Sequence, residues 1–275
     1  AADALEIDIG DVTVLHGDTS SAPYSNNGTG GSRSLALGGS AVKLAMEDVR
    51  EKTLRIGAHM LEVSIDDVEI VEGEIQVKGA PGKSLTFAQV ARAAYDAWKL
   101  PDGMEPGLQF TRVFDPPNFT FPFGTHVACV DVDMETGKVK LVKYVTVDDC
   151  GFVVNPLLVE GQVQGGVAQG AAQALLEEIV YDPGSGQLVT GSLGDYAAVR
   201  ADHLPMMENH RTVTLTPSNP LGAKGIGEAG TIGSAPTVAN AVGDALRQVG
   251  ITHVDMPTTP ERIWSLIQAA TGGDR

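Results

Sequence analysis

Positive charge is scarce in this chain: 19 lysines and arginines stand against 35 aspartates and glutamates, a formal charge of −16 over 275 residues. Such a surface offers a nucleic acid no counter-charge. Aromatic residues make up only 5% of the chain, too few for a platform on which bases could stack. The two cysteines, Cys129 and Cys150, cannot build a disulfide framework or a four-thiolate site. The six histidines are scattered, with no His-x-x-x-His or His/Cys spacing, which disfavours a protein-ligated zinc ion. Apolar runs are short, and none approaches the ~20 residues of a membrane-spanning helix. No secretory leader is legible. A cytoplasmic location without membrane contact is therefore the expectation.

What is present is enough apolar residue, 43%, for a sizeable core divided between two subdomains of ordinary size. The most telling stretch is Gly222-Ala-Lys-Gly-Ile-Gly-Glu-Ala-Gly-Thr-Ile-Gly-Ser234, in which one carboxylate, Glu228, sits among glycines just ahead of an apolar helix. Glycine lets the backbone approach a ligand closely, and the free N–H groups of a helix start face whatever the carboxylate faces. The plain alternative is a glycine-rich turn whose acid sits against the helix dipole. Two further helix starts share the same character. Thr29-Gly-Gly-Ser-Arg-Ser34 sits in a small-residue loop, Ser25 to Gly31, that runs into a helix, and Gln162, Gln169 and Gln173 recur at spacings of seven and four, on one side of a second helix. Three helix starts rich in donors and poor in charge imply a large polyanionic ligand.

The coarse pattern predicts a strand over Val12 to Leu15 and a long helix from Ser34 to Met60. Asp67–Glu72 and Glu74–Lys78 alternate about Gly73 as a hairpin, and Phe87 to Trp98 is an amphipathic helix. Pro101–Gly107 and Asp115–Asn118 break the chain, which places subdomains at 1–115 and 116–275. The second half opens with strands Gly124–Met134 and Lys138–Val147 joined by Glu135-Thr-Gly137. A helix from Leu158 to Glu178 follows, then a strand pair at Ile179–Tyr181 and Gln187–Thr190 and a short strand at Thr212–Leu215. Helices end the chain, one from the Glu228 segment through Val249 and one over Pro260–Ala270. The class expected is α+β with mixed sheets and packed helices rather than a regular dinucleotide fold.

Three ordered motifs carry a resemblance to a known family: Asp148-Asp-Cys-Gly-Phe-Val-Val-Asn-Pro156, Glu160-Gly-Gln-Val-Gln-Gly-Gly-Val-Ala-Gln-Gly170, and Gly225-Ile-Gly-Glu-Ala-Gly-Thr-Ile-Gly-Ser234. They resemble the molybdopterin-binding large subunit of the molybdenum hydroxylases, the group of xanthine dehydrogenases, aldehyde oxidoreductases and aerobic carbon monoxide dehydrogenases. Val12-Thr-Val-Leu-His-Gly-Asp-Thr19 and Gly30-Gly-Ser-Arg-Ser-Leu-Ala-Leu-Gly-Gly-Ser-Ala-Val42 are similar to the second cofactor-binding region of the same subunits. The resemblance implies a piece of a longer subunit, whether from a split gene, processing or truncation, lacking the first cofactor domain and its substrate loops.

The resemblance further implies molybdenum held by a molybdopterin, plain or as its cytosine dinucleotide, with no protein residue ligating the metal. By the same resemblance Glu228 is the catalytic base, Gln162 hydrogen-bonds the centre or the cofactor edge, and Gln169 lines that helix face. Thr29, Ser32 and Ser34 bind pterin or phosphate through hydroxyl and backbone donors, with Gly31 beside them, and Gly227 permits close approach. Lys224 and Arg33 either neutralise a phosphate or are solvated loop cations. Partners implied are the remainder of the molybdenum subunit, an iron–sulfur chain, an FAD-bearing flavin chain and a small-molecule substrate. The Ala-Gly-Thr-Ile-Gly that follows Glu228 favours oxidation of an aldehyde or N-heteroaromatic carbon, with a carbon monoxide dehydrogenase fragment as the alternative. A non-catalytic module for a phosphorylated ligand is the competing class. Asp148 and Asp149, at a strand end, read as turn-forming acceptors, and the missing Lys-Ser/Thr after Gly227 disfavours a phosphate-transfer loop.

Overall fold

The computed structural model describes residues 1–20, 24, 28–96, 98 and 100–272. The chain divides into one unit of Ala1–Thr29, Ser34–Asn118 and Asn219–Leu221 and another of Gly30–Arg33, Phe119–Ser218 and Gly222–Arg275. In the first unit a short helix α1 (Ala2–Leu5) precedes α2 (Ser40–Leu61), which is entered through a π-turn at Leu35–Gly39. Three antiparallel strands follow in order, β1 (Val68–Val71), β2 (Glu74–Val77) and β3 (Ala80–Thr86), and then α3 (Phe87–Asp96). Ile56, Ala58 and Leu61 of α2 bury against Val68, Ile70 and Ile75 of the sheet and Val90, Ala93 and Ala94 of α3. Contact between α2 and β2 is close because residue 57 is glycine: a Cβ there would stand 2.5 Å from Ile75 Cγ2.

The long helix, the hairpin about Gly73 and the amphipathic helix after Thr86 agree with the reading of the sequence. Residue 97 of the last, and residues 25–27 of the small-residue loop, lie outside the described residues. Val12–Leu15 is not a strand: Val14 and Leu15 are 74% and 79% exposed, and an alternating segment with no neighbour to complete its ladder is not held extended. β3 escaped notice because its first four positions, Ala-Pro-Gly-Lys, are all exposed and carry no alternation. It is an edge strand, where proline is tolerated.

In the second unit β4 (Phe123–Val132) and β5 (Val139–Asp149) form the expected antiparallel hairpin. Its turn is fixed by Asp133, whose carboxylate accepts from the N–H groups of Glu135 and Thr136. The helix α4 (Pro156–Leu175) starts at Asn155, whose Oδ1 accepts from the N–H groups of Leu157 and Leu158 at 3.1 and 3.2 Å, with Pro156 in the first helical position. β6 (Met207–Thr212) lies parallel to β5, and α5 (Ala229–Leu246) and α6 (Pro260–Thr271) complete the unit. The core joins Leu141 and Tyr144 of β5, Val163, Val167 and Ala171 of α4, Val238, Val242 and Leu246 of α5, and Ile263 and Ile267 of α6.

Three elements differ from expectation here. α4 stops at Leu175 rather than Glu178. Residues 179–190 make a single bridge, Tyr181 to Leu188, instead of two strands. The strand expected at Thr212–Leu215 lies earlier, at Met207–Thr212, hidden by a polar inward residue: Asn209 accepts the Thr146 hydroxyl across β5. The class is α+β, with one antiparallel and one mixed three-stranded sheet. Among the described residues no helix is long and apolar enough to cross a membrane.

Candidate active site around Glu228

Glycines bring the middle of α4 against the start of α5. A Cβ on Gly166 would lie 2.8 Å from Thr231 N and 2.9 Å from Gly230 Cα, and one on Gly230 would lie 2.5 Å from Val163 O. Gly170, one turn further along α4, leaves room in the same way for Ser234 and Ala235. Backbones that approach so closely place Gln162, on the exposed side of α4, next to the residues that open α5.

Glu228 is the N-cap residue of α5, but its carboxylate makes no capping bond. It turns instead to Ser32, whose Oγ donates to Glu228 Oε2 at 3.0 Å and accepts the Glu228 N–H at 3.1 Å. Ser32 adopts φ 55° next to Gly31 at φ 73°, a left-handed conformation that costs a non-glycine residue about 1–2 kcal/mol. Strain of this kind persists where surroundings over-determine it. Here Ser32 is held by its two bonds to Glu228, and Gly225 gives it room, since any side chain at 225 would collide with Cβ and O of Ser32. A Cβ on Gly227 would fill the gap between Gln162 Oε1 and Ser32 Oγ, 3.4 Å from each. Gln169 reaches the first turn of α5, accepting from Thr231 Oγ1 at 3.2 Å.

Glu228, Ser32, Gln162 and Gly227 thus converge, with Gln169 and Gly31 alongside. Thr29 and Ser34 belong to the first unit, where both are exposed, and Arg33 is half-buried in the second. Of the two readings open for Lys224, a phosphate contact or a solvated loop cation, the second is corrected: the side chain is buried. Its side chain is 7% exposed, its Nζ lies 3.0 Å from Asp149 Oδ1, and it stands over the Phe123 ring at 4.6 Å. Asp149 also accepts from Gly151 N–H and, through Oδ2, from Thr212 Oγ1, both at 3.0 Å. Burial alone would raise its pKa, but the Gly151 N–H and the Lys224 ammonium outweigh burial and hold the carboxyl well below the usual range.

On the other side of β5, His126 Nε2 lies 3.2 Å from Asp148 Oδ1 and its Nδ1 2.9 Å from the Tyr144 hydroxyl. Burial pushes the Tyr144 phenol up to about 12. The sequence alone gives no local signal for His126, and Asp148 and Asp149 read there as turn acceptors. Their burial depends on what the sheet brings together, and only the even spacing of Asp148 from Tyr144 along β5 hinted at a shared face.

The Gln162 amide, which makes no hydrogen bond among the described residues, and the first N–H groups of α5 are the neutral donors here, the missing Gly227 side chain leaves a gap between Gln162 and Ser32, and the exposed Glu228 carboxylate beside them is an acceptor. The donors fit oxygens of a large group that brings its own metal ligands, and the carboxylate fits a proton that such a group gives up. Among the described residues no three His, Cys, Asp or Glu side chains are placed to hold a metal ion. The protein belongs to the molybdopterin cofactor-binding domain family, whose pattern matches residues 1–205, and with it to the molybdenum hydroxylases as a family.

Particular relatives sharpen the placement. The carbon monoxide dehydrogenase large chain of Hydrogenophaga pseudoflava is 42% identical over 94% of this chain and 32% of its own length. The nicotine 6-hydroxylase large subunit of Paenarthrobacter nicotinovorans is 39% identical over 96% of this chain and 32% of its own. A solved Cu,Mo carbon monoxide dehydrogenase superposes with a TM-score of 0.89 at 38% identity, over all of this chain and 34% of that one. The chain spans about a third of the length of the curated relatives it matches.

Proposed function

We propose that this chain carries the catalytic base of a molybdenum-dependent oxidoreductase that oxidises an aldehyde or N-heteroaromatic carbon. One observation carries the reading: Ser32, Gln162 and Gly227 gather around a single carboxylate at the start of α5. When bound, the molybdenum–pterin centre supplies the oxidation and the activation of water. Glu228 supplies the proton acceptor. Because Ser32 occupies Oε2, Oε1 is the atom left to take the proton, and the Ser32 bonds to both side chain and backbone keep that atom aimed. Gln162, with its amide at the same gap, orients the group bound there. Gln169 stiffens the first turn of α5 through Thr231. Thr29, Gly31, Ser32, Arg33 and Ser34 are the proposed contacts for the pterin, or its cytosine dinucleotide, in the remaining region. Lys224, already paired with Asp149, shapes the loop instead.

Electrons released by such a reaction need an exit, so the proposal includes the rest of the large subunit and companion chains with iron–sulfur clusters and FAD. Glu228→Gln in the holoenzyme is expected to lower turnover by about 10²–10⁴, the usual worth of a positioned base, with molybdenum content retained. Near-normal turnover would refute the role. The hydroxylase named for nicotine, at 39% identity, supports the N-heteroaromatic substrate class. Carbon monoxide is the second reading, favoured by the 42% identity to a carbon monoxide dehydrogenase. Parallel assays with carbon monoxide, aldehydes and N-heterocycles separate the two.

A further inference from the structure

We propose that the consecutive carboxylates Asp148 and Asp149 are positioning residues that fix Glu228 from both flanks, Asp149 through Lys224 and Asp148 through His126 and Gly233. The proposal rests on the reading of Glu228 as the base. Successive residues of a strand point to opposite faces, so this one dipeptide at the end of β5 can hold two segments that approach from different sides.

On the first face, Asp149 grips Lys224, four residues before Glu228. The backbone reinforces this grip: Lys224 N–H donates to Cys150 O at 2.7 Å, and Phe152 N–H donates to Gly222 O at 3.0 Å. Gly151, at φ 67°, makes the approach possible, since any side chain there would collide with Gly222 O. From Lys224 the chain runs directly into Gly225, seated on Ser32, and then Gly227 and Glu228.

On the second face, register pairs His126 with Thr146, which sets the imidazole diagonally between Tyr144 and Asp148. Gly124 opens the space for the carboxylate, because a Cβ there would collide with Asp148 Oδ1. The imidazole in turn seats α5: a Cβ on Gly233, five residues after Glu228, would stand 2.5 Å from ring atoms of His126. Asp148 Oδ2 is buried without a hydrogen-bond partner among the described residues, an arrangement that apolar packing would spare. Replacing a buried ion pair by apolar residues is often neutral for stability, so the Asp149–Lys224 pair, with the buried His126–Asp148 hydrogen bond on the other flank, argues for placement over fold strength.

The test uses the holoenzyme carrying Lys224→Met, with Thr212→Val and Tyr144→Phe as milder variants that each remove one hydrogen bond from one anchor. Amide hydrogen exchange over residues 222–233 and the split between kcat and KM are the readouts. Support is an exchange rate raised about tenfold in that segment and not elsewhere, with kcat falling by up to about 10²-fold at unchanged KM and molybdenum content. Wild-type exchange over 222–233 and wild-type kcat in the folded variants overturn the proposal. If Lys224→Met fails to fold, the two milder variants decide by the same criteria. An active Glu228→Gln enzyme together with loosened exchange in the anchor variants refutes the base and leaves the anchors standing. An inactive Glu228→Gln enzyme beside unaffected anchor variants does the reverse.

Discussion

Asp149 joins a buried cation, a backbone N–H and a threonine hydroxyl on one carboxylate, which ties its ionisation to the stability of the second unit. Its carboxyl titrates below the usual range when folded, whereas in an unfolded chain an aspartate titrates near about 3.9. The sign follows from that order. The ionised form stabilises the fold fully above the unfolded value, and this contribution is lost as pH falls toward the folded one. Asp149→Asn is expected to cost about 3 kcal/mol near neutrality, because Lys224 is left buried without its counter-charge. It should also flatten the dependence of stability on pH below about 4. Denaturant unfolding of both proteins across pH checks this, and a variant as acid-sensitive as the parent would sink it. Residues of this kind are where reading the sequence fell short. Glu228 and Gln162 stood out because glycine runs isolate them in sequence. Lys224 lies in the same run, yet its partner is 75 positions away and nothing local announces it. Ser32 was legible as a donor but not as the residue that holds Glu228, because its partner is 196 positions away and its close seat against Gly225 is not announced locally.

Among the elements, α4 and α5 decide the site, and their contact is written in small residues. Gly166 and Gly170 on α4 meet Gly230 and Ser234 on α5, so the helices approach at backbone distance and carry Gln162 and Glu228 with them. Gly166→Ala is expected to destabilise by about 1–3 kcal/mol through overpacking and to lower turnover as well. Gly243→Ala, inside α5 where a Cβ meets nothing within 4 Å, is the matched control and should stabilise by about 0.5–1 kcal/mol. Thermal unfolding with parallel assays distinguishes them; equal effects from both substitutions would mean the glycine contact does not set the helix spacing. Helices and hairpins were largely readable, because amphipathic period, the Asn155-Pro156 start and turn residues such as Glu135-Thr-Gly137 act locally. The strands missed, β3 and β6, carry exposed or polar inward positions, and they owe their existence to the strand beside them. Val12–Leu15 is the converse case, a local alternation with no such neighbour.

For the whole molecule, charge and apolar exposure pull in opposite directions. In the second unit Phe119, Phe121, Phe123, Phe152, Leu157 and Leu158 are each at least 49% exposed, apolar side chains that association could bury. A net charge of −16 opposes association of copies through that surface, by repulsion that acts over about 10 Å at 0.1 M salt and only about 3 Å at 1 M. A chain that spans about a third of its relatives' length is therefore expected, when produced as these 275 residues, to stay dispersed in dilute buffer and to self-associate as salt rises. Replacing Phe121 and Leu157 by serine should move that onset to higher salt, since less apolar surface is then left to bury while the charge is unchanged. Light scattering across a sodium chloride series reads the outcome directly. A parent chain that stays monomeric at 1 M salt, where repulsion is screened to about 3 Å, would show that its exposed aromatics do not drive association.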